Sequence, residues 1–239
     1  MRGGRRIAVV IPALDEARVI GRVVDAIPKW VDEIVVVDNG STDATAKVAA
    51  EKGARVVLEP KRGYGAACRA GVRSLATGGD APDVIVFVDG DLSDDPLEMG
   101  ALVAPILERG VDLVIGSRAL GKRERGSLTV QQRFGNALSC TLIRLLYGKR
   151  YTDLGPFRAI RRESLDALAL TDVGFGWTVQ MQVRAACRGL EIAEVPVSYR
   201  RRAAGRSKIS GTVRGVIGAG TTFMIVIFGE ALQTAGRKR

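Results

Sequence analysis

Val84-Ile85-Val86-Phe87-Val88-Asp89-Gly90-Asp91-Leu92-Ser93-Asp94-Asp95 runs five apolar residues into four acids within seven positions. A strand that is apolar at every position has no solvent face, so it belongs inside a parallel sheet covered on both sides. In such sheets ligands gather at the carboxyl ends of the strands, which is where these acids stand. So much negative charge repels itself unless a cation is present. With glycine between them, Asp89 and Asp91 are able to turn toward one hard, oxygen-loving ion, Mg²⁺ or Mn²⁺, which in turn binds a diphosphate. The competing explanation is a solvated acidic loop in which Asp94 or Asp95 caps a helix beginning at Pro96.

Upstream, the same alternation repeats. Residues 7–11, 33–37 and 55–58 read as strands, and residues 17–27, 44–52 and 65–75 as helices. Downstream, the pattern predicts helices over 97–109, 131–146 and 176–188 and strands over 113–116, 157–160 and 192–199, with a basic loop over 118–125. The expected architecture is α/β, a mostly parallel sheet with helices on both faces. At about 150 residues per domain the length of 239 implies one large domain with a short appendage. Residues 1–208 form that domain, and residues 209–239 a basic, weakly apolar tail.

The composition narrows the chemistry. There is no histidine, which excludes Ser-His-Asp hydrolysis and imidazole acid–base catalysis. Cys68, Cys140 and Cys187 form no spaced set, so neither a disulfide framework nor a zinc cage is expected, and a reducing compartment suits them. The net charge of +10 points to an anionic partner. Nucleic acid would explain that charge but not the acids at the strand ends, and 5% aromatic residues leave few stacking platforms. The apolar run after the basic N-terminus is too short for a signal peptide, which predicts a cytoplasmic protein. The uncharged stretch 215–228 is shorter than the roughly 20 residues that span a bilayer. It is read either as packing on the domain or a partner subunit, or as a peripheral contact with the inner face of the membrane.

Two further strand ends carry polar motifs. Pro12-Ala13-Leu14-Asp15-Glu16 puts acids near a helix start, where a simple cap is the alternative, and no GxGxxG follows the first strand. Asp38-Asn39-Gly40-Ser41-Thr42-Asp43 contains a turn and a cap; turn chemistry accounts for residues 39–43 but leaves Asp38 to a base or ribose.

In this order, IPALDE, VVVDNGSTD, KRGYGAA and FVDGDLSDDP resemble the family 2 glycosyltransferases of the GT-A (Rossmann-like) fold, and the resemblance continues through GSR (116–118), DLGPFRAI (153–160) and EVPVSYRRRAAGRSK (194–208). Within the family the chain is most similar to dolichyl-phosphate mannosyltransferases and their bacterial polyprenyl-phosphate relatives. The resemblance implies a metal-dependent, inverting transfer of a sugar from a nucleotide-sugar donor to a phosphate acceptor such as polyprenyl phosphate. It implies that Pro12, Ala13, Leu14, Glu16, Asp38, Lys61, Asp89 and Gly90 hold the donor nucleotide, and that Asp89 and Asp91 bind Mg²⁺ or Mn²⁺. Asp91, Arg202 and Lys208 would be catalytic, the last two in a mobile phosphate lid over residues 200–208. Arg118, Arg133 and Asp153 would meet the acceptor. A hydroxyl acceptor, a sugar-phosphate nucleotidyltransferase and a homo-oligomeric assembly are the alternatives left open. Ser93, Ala137 and Gln180 depart from the family pattern; Gln180 stands where many relatives carry an acid, and an amide takes no proton.

Overall fold

The computed structural model describes residues 2–75, 81–204 and 213–237. Chain order runs β1 (Ile7–Ala13), α1 (Ile20–Ala26), β2 (Glu33–Asp38), α2 (Thr45–Glu51), β3 (Arg55–Leu58), α3 (Tyr64–Ser74), β4 (Val84–Phe87), α4 (Met99–Arg109), β5 (Leu113–Ser117), α5 (Val130–Tyr147), β6 (Arg158–Arg161), α6 (Arg162–Leu168), α7 (Gly176–Cys187), β7 (Ile192–Pro196) and α8 (Val213–Arg237). The strands form one seven-stranded sheet ordered β3-β2-β1-β4-β6-β5-β7. Its pairings are parallel except that β6 runs antiparallel to both β4 and β5.

The apolar strands behave as their pattern demands. Ala8, Val10, Val35, Val37, Ile85 and Phe87 face one core, shared with α3, α5 and α7. Ile7, Val9, Ile11, Val36, Val84 and Val86 face the other, shared with α1 and α4. This period of two is the pleat itself, and each fully buried aliphatic or aromatic side chain contributes about 1.5–3 kcal/mol. The topology then makes the crevice. From β1 the chain proceeds to β2 and β3 on one side, whereas β4 lies on the other. Connections leaving β1 and β4 therefore diverge, which opens a cleft at their carboxyl ends.

Several boundaries differ from the sequence-based expectation. The first helix starts at Ile20 and not at residue 17, because Val19 and Ile20 donate to the carbonyl of Glu16 in a preceding turn. The last strand stops at Pro196, since the Tyr199 backbone pairs with Lys122 and Glu124 instead of continuing in the sheet. Helix α6 is not expected from the sequence pattern; it follows β6 directly, with Arg161 ending the strand and Arg162 opening the helix, so no turn residues mark its start. The stretch 215–228 lies within α8, which buries Val226 and Ile227. Helix α8 is tied to α5 and α7 by the Tyr147 hydroxyl donating to the Ile227 carbonyl and by Glu230 accepting from Gln180 and Arg184. Among the described residues no helix is long and apolar enough to cross a membrane.

Candidate active site

The loops after β1 and β2 are built as one piece. Ala13 and Asp38 are register partners, and Asn39 N–H donates to the Ala13 carbonyl at 2.9 Å. Asp15 N–H donates to Ser41 Oγ, and the Asp15 carboxylate accepts from Thr42 N–H at 2.8 Å and from its hydroxyl. Asp15 pays for this position with a φ of 53°, a left-handed conformation uncommon outside glycine. Glu16 N–H donates to Thr45 Oγ1. Asp38 is corrected by the structure: its Oδ1 accepts from Ser41 N–H at 2.8 Å, so turn chemistry engages this residue as well. The physical reason is that a carboxylate at a strand end sits within reach of the amide three residues on. Lys61 lies past β3 with its side chain exposed and its carbonyl held by Asn39 Nδ2.

The acids after β4 meet this assembly through Gly90, whose hypothetical Cβ would stand 3.3 Å from Ile20 Cδ1, 3.4 Å from the Pro12 carbonyl and 3.5 Å from Ala13 Cβ. Asp91 is buried; its Oδ1 accepts from Ser93 N–H at 2.8 Å and its Oδ2 lies 2.9 Å from Arg202 Nη2. Arg202 Nη1 simultaneously donates to Glu16. Burial opposes the charge on Arg202, but Asp91 and Glu16 outweigh it and raise the guanidinium above its ordinary value. Asp94 is also buried, and neither of its carboxylate oxygens has a hydrogen-bond partner among the described residues. The cap at Pro96 is made by Asp95, which accepts from Leu97 N–H. In the sequence Asp94 and Asp95 are equivalent cap candidates; only the fold separates them.

Residues 200–204 are the described part of the predicted lid, and they are strapped down. Arg200 N–H donates to the Ser93 carbonyl, Ala203 N–H to the Asp91 carbonyl, and the Tyr199 backbone bridges Asp94. The three consecutive arginines are also not one patch. Arg200 pairs with Asp95 at 2.6 Å, Arg201 donates to the Arg125 carbonyl and packs beside Glu124, and Arg202 alone enters the crevice. Lys208 lies outside the described residues.

On the far side of β4, Arg118 and Asp153 form a bidentate pair, with Nε to Oδ2 and Nη2 to Oδ1 both at 2.7 Å, and Arg118 N–H also donates to Oδ2. Burial works against this guanidinium, but the Asp153 bonds win and its pKa is raised. Tyr199 covers it, 5.0 Å from guanidinium carbon to ring centroid, a cation–π contact. Sequence reasoning missed what holds Asp153 in place: Glu194 accepts from its N–H, and Gln182 Nε2 donates to its carbonyl. Wholly buried Arg158 donates to the neighbouring Leu154 and Gly155 carbonyls. None of these was separable in sequence from ordinary core or surface polarity. Arg133 is exposed in the first turn of α5 and makes no ion pair among the described residues. Gln180 is not part of the crevice network; its carbonyl oxygen accepts from Thr171 and Asp172 N–H, and its amide donates to Glu230. At this position an amide serves both roles, which a carboxylate cannot.

Asp89 carries the clearest electrostatic signature. Its Oδ1 is buried and has no hydrogen-bond partner among the described residues, and its carboxyl is pushed up to about 7, first by burial and then by the Asp91 charge. Such an orphaned oxygen beside a second carboxylate fits a divalent ion. No set of three or more acidic, cysteine or histidine side chains among the described residues is close enough to hold one alone, so water and substrate phosphates would complete the coordination of such an ion. A pH dependence follows. Between the unfolded carboxylate value near 3.8 and about 7, native Asp89 keeps a proton that the unfolded chain has lost. Without metal, thermal stability should therefore fall as pH rises from 5 to 7.5, and added Mn²⁺ should raise the melting temperature more at pH 7.5 than at pH 5. Differential scanning fluorimetry checks both; a flat profile without metal would contradict the assignment.

The glycosyl transferase family 2 model matches residues 8–169. An uncharacterised glycosyltransferase of Mycobacterium tuberculosis is 38% identical over 226 residues, covering 94% of this chain and 99% of that protein. The undecaprenyl-phosphate mannosyltransferase of Micrococcus luteus is 32% identical over 225 residues, covering 88% and 90%. Among solved structures, glucosyl-3-phosphoglycerate synthase from Mycobacterium tuberculosis in complex with Mn²⁺, UDP and phosphoglyceric acid superposes with a TM-score of 0.75 at 28% identity, covering 96% of this chain and 80% of that one. With the acidic crevice at the switch point of a GT-A sheet, these likenesses identify the chain as a glycosyltransferase that belongs to glycosyl transferase family 2.

Proposed function

We propose that the protein moves a sugar from a nucleotide-sugar donor to polyprenyl phosphate, with inversion at the anomeric carbon. The observation that carries the phosphate acceptor is the Arg118–Asp153 pair. A carboxylate locked in a bidentate ion pair is a poor proton acceptor. A hydroxyl acceptor needs such a base, whereas a phosphate arrives already ionised. Exposed Arg133 then supplies the positive charge that receives it.

Donor binding falls to the loop of Pro12, Ala13, Leu14 and Glu16, with Asp38, Lys61 and Gly90 around it. Asp89 and Asp91 hold the divalent ion, which when bound supplies positive charge to the donor diphosphate. Arg202 and Lys208 add cationic charge where the leaving nucleoside diphosphate develops its own. The acceptor oxygen displaces the diphosphate in line, so the anomeric configuration inverts.

The lipid part of the reading rests on an apolar groove of about 520 Å³ between α5 and α8, lined by Val130, Phe134, Leu138, Phe223 and Met224. It lies on the same helix as Arg133, which suits one acceptor with an anionic head and an apolar chain. Exposed Ile225, Phe228 and Leu232 extend the apolar surface along α8, which suits peripheral contact with a membrane. The test offers undecaprenyl phosphate and water-soluble phosphate esters against a panel of nucleotide sugars, with product configuration read by NMR. Transfer to the lipid with inversion is expected; retention, or exclusive use of soluble acceptors, would overturn the corresponding part.

A further inference from the structure

We propose that Arg202 is an internal counter-cation, which neutralises the metal-binding Asp91 together with the neighbouring Glu16 in the ligand-free protein and must leave Asp91 before a divalent ion binds. The inference rests on Asp91 being a metal ligand, as read above. Its basis is the double engagement of one guanidinium, Nη2 with Asp91 Oδ2 at 2.9 Å and Nη1 with Glu16. Both acceptors are largely buried, with side-chain exposures of 9% and 7%, against 24% for Arg202. Asp91 Oδ1 accepts from Ser93 N–H and Oδ2 is paired with Arg202, so an incoming divalent ion meets the guanidinium charge on the carboxylate that would hold it.

The backbone geometry says which part moves. Arg200 N–H on the Ser93 carbonyl and Ala203 N–H on the Asp91 carbonyl clamp the strap on both sides of residue 202. The exchange is therefore a rotation of the Arg202 side chain and not the opening of a flap. An arginine released from the carboxylates keeps its planar fork of donors, which matches phosphate oxygens as well as it matches carboxylates. One residue thereby couples two events. Metal alone binds at the expense of the ion pair, and a diphosphate alone finds its arginine occupied; together each removes the other's penalty.

This arrangement reverses the usual expectation for a mutant in a substrate site. Arg202→Gln should bind Mn²⁺ alone, with no nucleotide present, about tenfold more tightly than the unaltered protein, although it loses turnover. Binding is measured by counting free Mn²⁺ with electron paramagnetic resonance, and circular dichroism verifies the fold. Arg202→Lys keeps the charge but not the fork, and should fall between the two. Equal or weaker Mn²⁺ binding by a folded Arg202→Gln protein would overturn the proposal. Because no donor is present, a protein inactive toward every nucleotide sugar leaves this result standing, whereas absence of Mn²⁺ binding in all three proteins would overturn both this proposal and the metal reading.

Discussion

Asp91→Ala is expected to lower kcat by about a thousandfold at saturating Mn²⁺ while the protein stays folded, the scale seen when a group stabilising transition-state charge is removed. Asp91 sits at the junction of everything the crevice brings together. It follows β4, accepts from Ser93 N–H and faces Arg202. Alanine removes the charge that attracts the ion and leaves the Arg202 guanidinium with Glu16 alone. Asp91→Asn separates the causes, because the amide oxygen preserves the Ser93 bond but not the charge. Both variants should be equally inactive, and excess chelator should reduce the unaltered enzyme to their level. Retention of a tenth or more of the activity by either variant would remove Asp91 from the metal site.

The second large effect is on stability. Arg118→Ala strips Asp153 of both bidentate bonds in a place where that carboxylate is only 3% exposed. Removing one partner of a buried pair costs about 3–5 kcal/mol. For a chain of this size that corresponds to a fall in melting temperature on the order of 10 °C. The double variant Arg118→Met with Asp153→Leu takes away both charges and should recover most of the lost stability, since the paired desolvation cost disappears with the pair. Thermal unfolding of the three proteins tests this; a double variant as unstable as Arg118→Ala would mean that the backbone N–H bonds to Asp153, and not the ion pair, carry the stability.

The acid run after an apolar strand was legible because both its parts are local. Five consecutive apolar residues state that a strand has no wet face, and acids at its end have few structural uses there. The same holds for the Pro12–Glu16 loop and for Asp38, whose place at the carboxyl end of β2 is legible from the strand pattern although its bond to Ser41 is not. Asp94 shows the limit. Nothing local distinguishes it from Asp95, yet one lies buried in the crevice and the other caps a turn and pairs with Arg200.

What the amino-acid sequence determined by itself is therefore the alternation of strands and helices, the edge of the sheet where the acids gather and the kinds of charge gathered there, since each is written in the periodicity of neighbouring residues. Which charges meet was decided only by the tertiary structure. Glu16 and Arg202 are 186 residues apart, Arg118 and Asp153 35 apart. Their meeting depends on strand order, on the antiparallel insertion of β6 between β4 and β5, and on the strap that carries Arg202 past the acid loop. These are long-range pairings, set by which elements bury their apolar faces against one another across the whole chain, and no local pattern of residues encodes them.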